Sequence, residues 1–216
     1  MHIIEGYLPM EWCIIWFIIS FVFIIIGIRQ MKRIIDEIPE SKIYLAVSGL
    51  LMFAVSLLNV GTIRGSFSHP TGSGLSGSVF GPAVTSVLAA IVLLLQAILF
   101  GYGGLTTLGA NIFSIGIVGP LAAYLVFYTL KDRISPYISI ILASFLSSLL
   151  TCLTAAVQYG LVYGTLAKFI ILFFASQLPF LILDVIITTV VFIVMYSMFK
   201  DTELFSKELN DFLSLK

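Results

Sequence analysis

The chain has 216 residues, of which 60% are hydrophobic and 10% are charged, and its eleven basic and eleven acidic side chains cancel. Soluble domains contain about 45–50% apolar and about 25% charged residues, so this composition excludes an ordinary soluble domain. The balanced charge also excludes the basic surface of a nucleic-acid-binding protein. Cys13 and Cys152 both lie in apolar runs, which predicts two buried, inert thiols rather than a disulfide or a zinc site.

Apolar runs close to the ~20 residues needed to cross a bilayer recur along the chain. They span residues 13–28, 43–60, 83–100, 112–130, 137–158 and 166–199. The sequence therefore predicts an all-α, multi-pass membrane protein. Glu5 and Glu11 precede the first run and no basic residue does, unlike in a signal peptide. We expect this first helix to remain in the mature protein.

The positions of the eleven basic residues predict how the chain crosses the membrane. Arg29, Lys32, Arg33 and Lys42 fall in the first predicted loop, which indicates that this loop is cytoplasmic and the N-terminus outside. Six crossings would leave six basic residues outside and five inside, against the positive-inside rule. One more crossing within residues 61–80 leaves nine inside and two outside. We therefore predict seven transmembrane helices with a cytoplasmic C-terminus.

The additional crossing is predicted in a segment that hydropathy alone would not select. Residues 61–80 read GTIRGSFSHPTGSGLSGSVF, which is too rich in Gly and Ser to face lipid. Small residues do allow a short helix to pack tightly against its neighbours. We expect an external loop, a short buried helix near residues 74–80, and a new helix that begins at Gly81-Pro82. Residues 200–216 have apolar positions spaced as in an amphipathic helix, which we expect at the cytoplasmic interface.

The two histidines of the chain, His2 and His69, are the candidate metal ligands. If Met1 is retained, the Met1 α-amine, the His2 amide and the His2 Nδ1 can close a five-membered and a six-membered ring on one metal ion. A planar set of nitrogens suits Ni(II) or Cu(II). The predicted topology places the loop of His69 on the same outer side as Met1, where His69 can supply a fourth nitrogen. The simpler alternative is an exposed terminal histidine and a structural loop histidine.

Polar residues inside the apolar runs are further candidates, because polar groups within a membrane are costly. Asp184 is the acidic residue in the middle of a run; it is either a proton or ion site or, as we expect, a hydrogen-bond partner of a neighbouring helix. Gln96, Asn111, Gln158 and Gln177 are predicted to bond helices to one another. The chain has no Gly-rich phosphate loop, so we do not expect it to hydrolyse ATP by itself.

Three motifs, in this order, resemble the CbiM family. They are MHIIEGYLP at the N-terminus, SHPTGSGL followed by FGP at 68–82, and QAILFGYGGLTTLGANIFSIGIVGP at 96–120. CbiM proteins are the substrate-capturing membrane subunits, or S components, of energy-coupling factor (ECF) transporters for cobalt, and NikM proteins are their nickel-specific relatives. The resemblance covers nearly the whole chain. It implies a prokaryotic, multi-pass cell-membrane protein that is a transporter subunit and not an enzyme.

The resemblance also implies a site and partners. The metal ligands would be the amine of Met1, the amide and imidazole of His2, and the imidazole of the loop histidine His69. The partners would be a CbiQ-like coupling subunit in the lipid bilayer, CbiO-like cytoplasmic ATPase subunits that hydrolyse ATP, and a small CbiN-like accessory membrane protein. Seven membrane spans, one of them an extra N-terminal helix relative to vitamin-binding S components, are likewise implied.

The expected organisation is one polytopic domain over residues 1–199, with an N-terminal metal-binding segment at 1–10, followed by a cytoplasmic tail at 200–216. We expect the cargo to be Co(II) for cobalamin synthesis, with no organic cofactor, and keep Ni(II) as the alternative because nitrogen ligands favour it. A vitamin-binding S component and a membrane enzyme that uses Asp184 with a bound metal are further alternatives. Phe67 departs from the Cys that is common in cobalt-type relatives, and we expect it to alter loop packing without removing a ligand.

Overall fold

The computed structural model of the chain describes residues 2–61 and 66–199, and most of them are helical. Among the described residues, five helical segments are long and apolar enough to cross a membrane; one of them, Leu108–Leu130, is a continuous run of three shorter elements. A sixth helix, Ser41–Ser56, is apolar but shorter. Each coincides with one of the six predicted apolar runs. The predicted all-α, multi-pass membrane protein is confirmed at this level. Arg64 and the predicted tail helix within 200–216 lie outside the described residues.

The chain begins with a short strand and is otherwise mostly helical, with two more short strands between the second and third helices. The helices are α1 Met10–Glu37, α2 Ser41–Ser56, α3 Ser73–Phe100, α4 Leu108–Asn111, a π-helix Ile112–Val118, α5 Gly119–Leu130, α6 Pro136–Tyr163 and α7 Leu166–Phe199. Three strands, β1 His2–Ile3, β2 Val60–Gly61 and β3 Ser66–Ser68, form one sheet in the order β1-β3-β2. The π-helix precedes Pro120, whose ring leaves no room for a regular α-helical turn; the N–H of Gly119 accordingly donates to Ser114, five residues earlier.

The first inter-helix loop is shorter than the sequence predicted, because α1 continues past its apolar run to Glu37. Arg29, Lys32 and Arg33 lie on the last turns of α1, and the prediction that they belong to the loop was wrong. Long basic side chains can extend a helix beyond the hydrocarbon region while their charged ends reach water. Arg33 also donates to Glu37 one turn later, over 2.7 Å. The basic cluster still lies at one end of α1, as the topology prediction requires.

The Gly/Ser-rich segment forms the first part of α3. Residues 73–80 are helical and all of them are buried. The helix is broken at Gly81, whose φ of 77° and ψ of 176° are not helical, and a second helical part continues over residues 82–100. A φ of 77° favours glycine, because other residues meet a steric penalty there. The predicted short buried helix and the predicted restart after Gly81 are therefore both present.

The chain reverses its direction at this break. Gly72, directly before α3, lies against Met52 near the C-terminal end of α2: a Cβ atom added at Gly72 would be 3.1 Å from the Met52 Cα atom. Gln96, near the far end of α3, donates a hydrogen bond to the carbonyl of Phe53 over 3.4 Å. Both ends of α3 thus lie beside the same end of α2. The two parts of α3 run in opposite directions through the molecule.

Glycines let the short first part of α3 pack in the centre. A Cβ atom at Gly74 would lie 2.9 Å from the Cα atom of Ser144 in α6. A Cβ atom at Gly77 would lie 2.6 Å from the Cα atom of Pro120 in α5. Real Cβ atoms do not approach backbone so closely, so larger residues would push these helices apart. Close packing of small residues is how helices associate in membranes, where lipid removes the hydrophobic drive.

The exterior of the helices is apolar, which is the reverse of a soluble protein. Ile171 is 71% exposed, Ile98 64% and Leu50 64%. Many serine and threonine side chains are buried between helices instead; Ser20 of α1, for example, donates to the carbonyl of Gly109 over 2.8 Å. Apolar residues outside and small polar residues inside fit a protein surrounded by lipid.

Candidate metal centre

The N-terminal segment folds back into the protein before α1 begins. The N–H of Tyr7 donates to the carbonyl of Ile4 over 3.3 Å, and Gly6 has a positive φ of 79°, so residues 4–7 form a tight turn. On the N-terminal side of this turn, β1 pairs antiparallel with β3, and His2 lies opposite Phe67. The second residue of the chain is therefore held as the edge of a small sheet rather than left in solvent.

The loop and helix after α3 hold the N-terminal segment by its backbone. The Asn111 side chain accepts a hydrogen bond from the N–H of Ile3 over 2.8 Å and donates to the carbonyl of Ile3 over 3.0 Å. Thr107 donates to the same carbonyl over 2.8 Å. The N–H of Glu5 donates to the carbonyl of Gly103 over 3.2 Å. These bonds set the register of the segment and so the position of His2.

Two glycines of this loop let it approach the segment closely. Gly103 has a positive φ of 75°, and a Cβ atom there would lie 3.5 Å from the Nδ1 atom of His2. A Cβ atom at Gly104 would lie 2.8 Å from the Cα atom of Glu5. The carboxylate of Glu5 accepts hydrogen bonds from the N–H and the hydroxyl of Thr106. The loop thus covers the N-terminal segment on the side of the His2 ring.

The two predicted histidine ligands are in contact. The His2 and His69 rings stack with 4.2 Å between their centroids and 28° between their planes. His2 is 0% exposed and His69 is 1% exposed, so neither is a surface histidine. This excludes the simpler interpretation of an exposed terminal histidine. Met1, the third predicted ligand residue, lies outside the described residues.

The hydrogen bonds of the two rings indicate which nitrogens carry lone pairs. The Nδ1 atom of His69 lies 2.7 Å from the carbonyl of Pro70. A carbonyl can only accept, so Nδ1 carries the proton and Nε2 carries the lone pair that a metal ion requires. Both ring nitrogens of His2 are buried, and neither makes a hydrogen bond of regular geometry within the described residues; the Gln96 side chain is the polar group that interacts with the ring. An unpaired buried polar group is costly, which suggests that His2 has a further partner in its working state.

The environment of the pair favours neutral imidazoles. Burial lowers the pKa of both His2 and His69 well below the usual histidine value. Neutral rings are the form that binds metal ions. Within residues 2–61 and 66–199, no group of three or more His, Cys, Asp or Glu side chains is placed to hold a metal ion. A metal ion bound to this histidine pair would therefore need ligands other than further His, Cys, Asp or Glu side chains of the described residues.

Of the four polar residues predicted to bond helices to one another, Gln96 and Gln158 do so and the other two bond to the histidine site. Gln96 bonds to Ser56 and Phe53 of α2, and Gln158 of α6 donates to the carbonyl of Ala110 over 3.1 Å. Asn111 and Gln177, predicted as contacts between helices, instead hold the two parts of the histidine site. Asn111 bonds to Ile3 as described, and Gln177 donates to the carbonyl of His69 over 2.8 Å.

Asp184 also reaches the site rather than only a neighbouring helix. Its carboxylate accepts hydrogen bonds from Ser148 of α6, as expected, and from Thr71 and Gly72, which follow His69. Thr107 and Thr71 were not predicted as site residues, although both lie in the motifs that resemble the CbiM family. The sequence does place each of them close to a candidate residue: Thr71 is two residues from His69, and Thr107 is four residues from Asn111.

Comparisons with known proteins identify the family of this chain. A family described as CbiM, cobalt uptake substrate-specific transmembrane region, matches residues 2–202. The cobalt transport protein CbiM of Streptococcus sanguinis is 43% identical over 201 residues, which cover 89% of this chain and 82% of that protein. A putative cobalt transport protein CbiM of Methanococcus voltae is 44% identical over 194 residues, or 87% of each chain.

Two crystal structures have the same fold. A transition metal transporter superposes with a TM-score of 0.84 at 24% identity, covering 97% of this chain and 99% of that one. A truncated transition metal transporter superposes with a TM-score of 0.77 at 25% identity, covering 92% of this chain and 98% of that one. The match over nearly the full length, together with relatives above 40% identity, shows that this multi-pass membrane protein belongs to the CbiM family.

Proposed function

We propose that this protein is the S component of an ECF-type importer that captures Co(II) outside the cell and delivers it inward for cobalamin synthesis. The observation that carries the proposal is the buried, stacked pair of His2 and His69, with 4.2 Å between the ring centroids. Two neutral imidazoles buried in contact are hard to explain as packing alone, since neither ring nitrogen of His2 makes a hydrogen bond of regular geometry within the described residues and the Gln96 side chain only interacts with the ring. Family membership supplies the substrate class.

The proposed ligands are the Met1 α-amine, the His2 amide nitrogen, the His2 Nδ1 and the His69 Nε2. The first three belong to consecutive groups of the chain and form two fused chelate rings. The hydrogen bond from His69 Nδ1 to Pro70 supports the use of Nε2, because it leaves the lone pair there. Metal ligands are commonly oriented in this way by a second hydrogen bond on the other ring nitrogen. The seating of residues 2–5 by the 103–111 region supports a site built on the N-terminus.

Nickel is the second candidate cargo. Every proposed ligand is a nitrogen, and affinity for such sites rises from Co(II) to Ni(II). Family membership favours cobalt, because the relatives are described as cobalt transport proteins. Elemental analysis of the purified protein after growth with Co, Ni, Cu and Zn together decides between the two ions: predominant nickel would contradict the cobalt assignment.

The N-terminal chelate is tested by blocking the amine. We would compare protein that starts at Met1, carrying its purification tag at the C-terminus, with protein that has two extra residues before Met1. The extension converts the amine to an amide and adds bulk at a buried site, so we expect Co(II) binding to be lost. His69 and the fold stay unchanged in both proteins, which makes the starting residue the one variable. Equal Co(II) affinity of the two proteins would exclude the proposed ligand set.

We further propose seven membrane spans, with the N-terminus outside and residues 200–216 in the cytoplasm. The reversal at Gly81 supports the additional span, since it lets the short helix and the rest of α3 each cross part of the membrane. Single cysteines at Leu105, which is 58% exposed, and at Ser135 would be probed on intact cells in a cysteine-free background. A membrane-impermeant thiol reagent should label position 105 and spare position 135. The opposite labelling pattern would contradict the seven-span topology.

The proposed partners are a CbiQ-like membrane coupling subunit, CbiO-like ATPase subunits and a CbiN-like accessory protein. The chain itself has no phosphate-binding motif, so inward release would depend on ATP hydrolysis in those subunits. Co-purification from a strain that carries a candidate operon tests this assembly. A transport-competent preparation that contains this chain alone would contradict it.

A further inference from the structure

Asp184 is an acidic residue that is not one of the proposed metal ligands. Among the described residues it is the one buried side chain of the Asp, Glu, Lys and Arg types, at 2% exposure. Neither of the two ion pairs in the described part of the chain involves it. A carboxylate inside a membrane protein is costly and generally marks a functional position. An asparagine would fit the same space, so the retained charge requires an explanation.

The contacts of the carboxylate point to the histidine loop. Thr71 donates its hydroxyl to Oδ2 of Asp184 over 2.8 Å, and the N–H of Gly72 donates to Oδ1 over 2.8 Å. Ser148 of α6 donates to Oδ2. Two of the three donors therefore come from the residues two and three positions after His69. Gly72 has a positive φ of 65°, the left-handed backbone with which it ends the loop and precedes α3.

The other end of the same loop is held by the same helix. Gln177 donates to the carbonyl of His69 over 2.8 Å, and it lies seven residues, or two helical turns, before Asp184 in α7. Residues seven apart lie on one face of a helix. One face of α7 thus holds residues 69–72 at both ends. The direction of the His69 ring depends on the conformation that these two side chains impose.

We propose that Asp184 is the positioning residue and the counter-charge of the metal site. By holding Thr71 and Gly72 it keeps His69 against His2, and its negative charge balances the positive charge that a bound metal ion brings. The inference rests on the proposed function: a divalent ion bound by one deprotonated amide and three neutral nitrogens carries a net charge of about +1, which one carboxylate neutralises.

The size of the charge effect follows from the spacing. The Cα atoms of His69 and Thr71 are two residues apart, hence separated by at most about 7 Å. The Asp184 carboxylate is 2.8 Å from the Thr71 hydroxyl, and a separation of about 10 Å between the carboxylate and a metal ion on His69 is assumed for the calculation. Unit charges about 10 Å apart at an effective dielectric constant of about 20 change a binding constant roughly tenfold. Loss of loop positioning adds to this factor.

The test compares Asp184→Asn with a matched variant on the same helix. Asp184→Asn keeps the shape and removes the charge. Thr188→Val, one turn later, removes a buried hydroxyl that has no hydrogen-bond partner among the described residues. Purified full-length proteins would be titrated with CoCl2 by calorimetry. We expect affinity to fall 10- to 100-fold in Asp184→Asn, with one ion still bound per folded chain, and to stay within threefold in Thr188→Val.

A second readout separates positioning from a general loss of structure. The visible absorption band of the bound Co(II) reports on its ligands, and we expect it to shift in Asp184→Asn, because His69 is displaced, and to be unchanged in Thr188→Val. A merely structural role would lower the fraction of folded protein but leave both the affinity of that fraction and the band unchanged. That result would overturn the proposal.

Two controls complete the design. If Asp184→Asn is not recovered as folded protein, Thr71→Val replaces it; this variant removes one loop donor and leaves the charge, and we expect a three- to tenfold loss of affinity. Unchanged affinity in Thr71→Val would refute the positioning role. Wild-type protein is titrated in parallel: absence of Co(II) binding there would refute the proposed function, whereas equal binding by wild type and Asp184→Asn refutes only the role of Asp184.

Discussion

Replacing Asn111 should weaken metal binding although Asn111 is not a proposed ligand. Its side chain bonds to both backbone groups of Ile3, over 2.8 Å to the N–H and 3.0 Å to the carbonyl. Ile3 follows His2 directly, so these bonds determine how deeply the N-terminus enters the protein. The substitution Asn111→Leu has nearly the same shape and removes both bonds. The N-terminal segment then loses its central attachment.

The magnitude follows from which groups are left without a partner. The Ile3 carbonyl keeps its bond from Thr107, over 2.8 Å, so its loss is partly compensated. The Ile3 N–H has no replacement, and a buried unpaired donor costs about 1–3 kcal/mol. Because metal binding requires the docked segment, this cost should appear in the dissociation constant as an increase of about 5- to 150-fold. Asn111→Asp, which keeps an acceptor for the N–H, should lose less.

Calorimetric titration with Co(II) measures the effect, and the reactivity of the Met1 amine towards an acylating reagent measures docking without metal. Ser20→Ala is the matched control: the Ser20 hydroxyl donates to the carbonyl of Gly109, two residues from Asn111, and not to the N-terminal segment. Its affinity should stay within threefold of wild type. If Asn111→Leu also binds Co(II) within threefold and its amine is no more reactive, the segment is not positioned by Asn111 and the reasoning is refuted.

Three further predictions concern the ligands, the protons and the packing. His2→Ala should abolish high-affinity binding, because it removes a proposed ligand. His69→Ala should weaken binding by more than about 100-fold, the most that loss of a residue hydrogen-bonded to a metal ligand usually costs. Calorimetry showing either variant within a few-fold of wild type would exclude the site. Burial holds the pKa of both imidazoles below its usual value, so near pH 7 they have no proton to release. The amine and the amide do release protons when they bind the metal ion, so Co(II) binding should weaken as the pH falls from about 8. Binding at pH 7 should release about two protons, measured by calorimetry in buffers of different ionisation enthalpy. Release of three or more protons would mean that the imidazole rings are protonated before binding. Gly77→Ala should destabilise the protein by about 1–3 kcal/mol, since its Cβ would lie 2.6 Å from Pro120, whereas Gly49→Ala, with its nearest neighbour at 3.7 Å, should not; thermal unfolding with equal midpoints would contradict the packing.

The helices could be predicted from the sequence because their signal is local. Each apolar run meets the length that a bilayer demands, so composition within one window suffices. Residues 73–80 have no such signal, since they are buried by other helices and never meet lipid. Their helix was predicted from the distribution of basic residues over the whole chain, which depends on the number of reversals rather than on hydropathy. The last turns of α1, which carry Arg29 and Arg33, were not predicted, because the prediction ended the helix where the apolar run ends and charged residues begin.

The details of the site could not be predicted, because they depend on contacts between distant parts of the chain. Ile3 and Asn111 are 108 residues apart, and Thr71 and Asp184 are 113 residues apart. No periodicity or motif within one sequence connects such positions. The histidine pair could be predicted because the chain has two histidines, which left a single possible pairing, and because the family resemblance implied the same pair. Asparagine and aspartate within apolar runs could be recognised as unusual, but their partners required the fold.

What the fold adds to the proposed N-terminal chelate is order and one further donor, His69. Any peptide that begins with Met-His carries an amine, an amide and an imidazole in chelating order, but it must lose its conformational freedom when it binds a metal ion. Fixing one residue of backbone costs about 1–2 kcal/mol, so several disordered residues would lower the affinity by orders of magnitude. Here the turn at Gly6, the strand pairing of His2 and the bonds of Asn111 bear that cost during folding. The arrangement also brings His69 to the same place, so that a chelate with three donors can become a site with four.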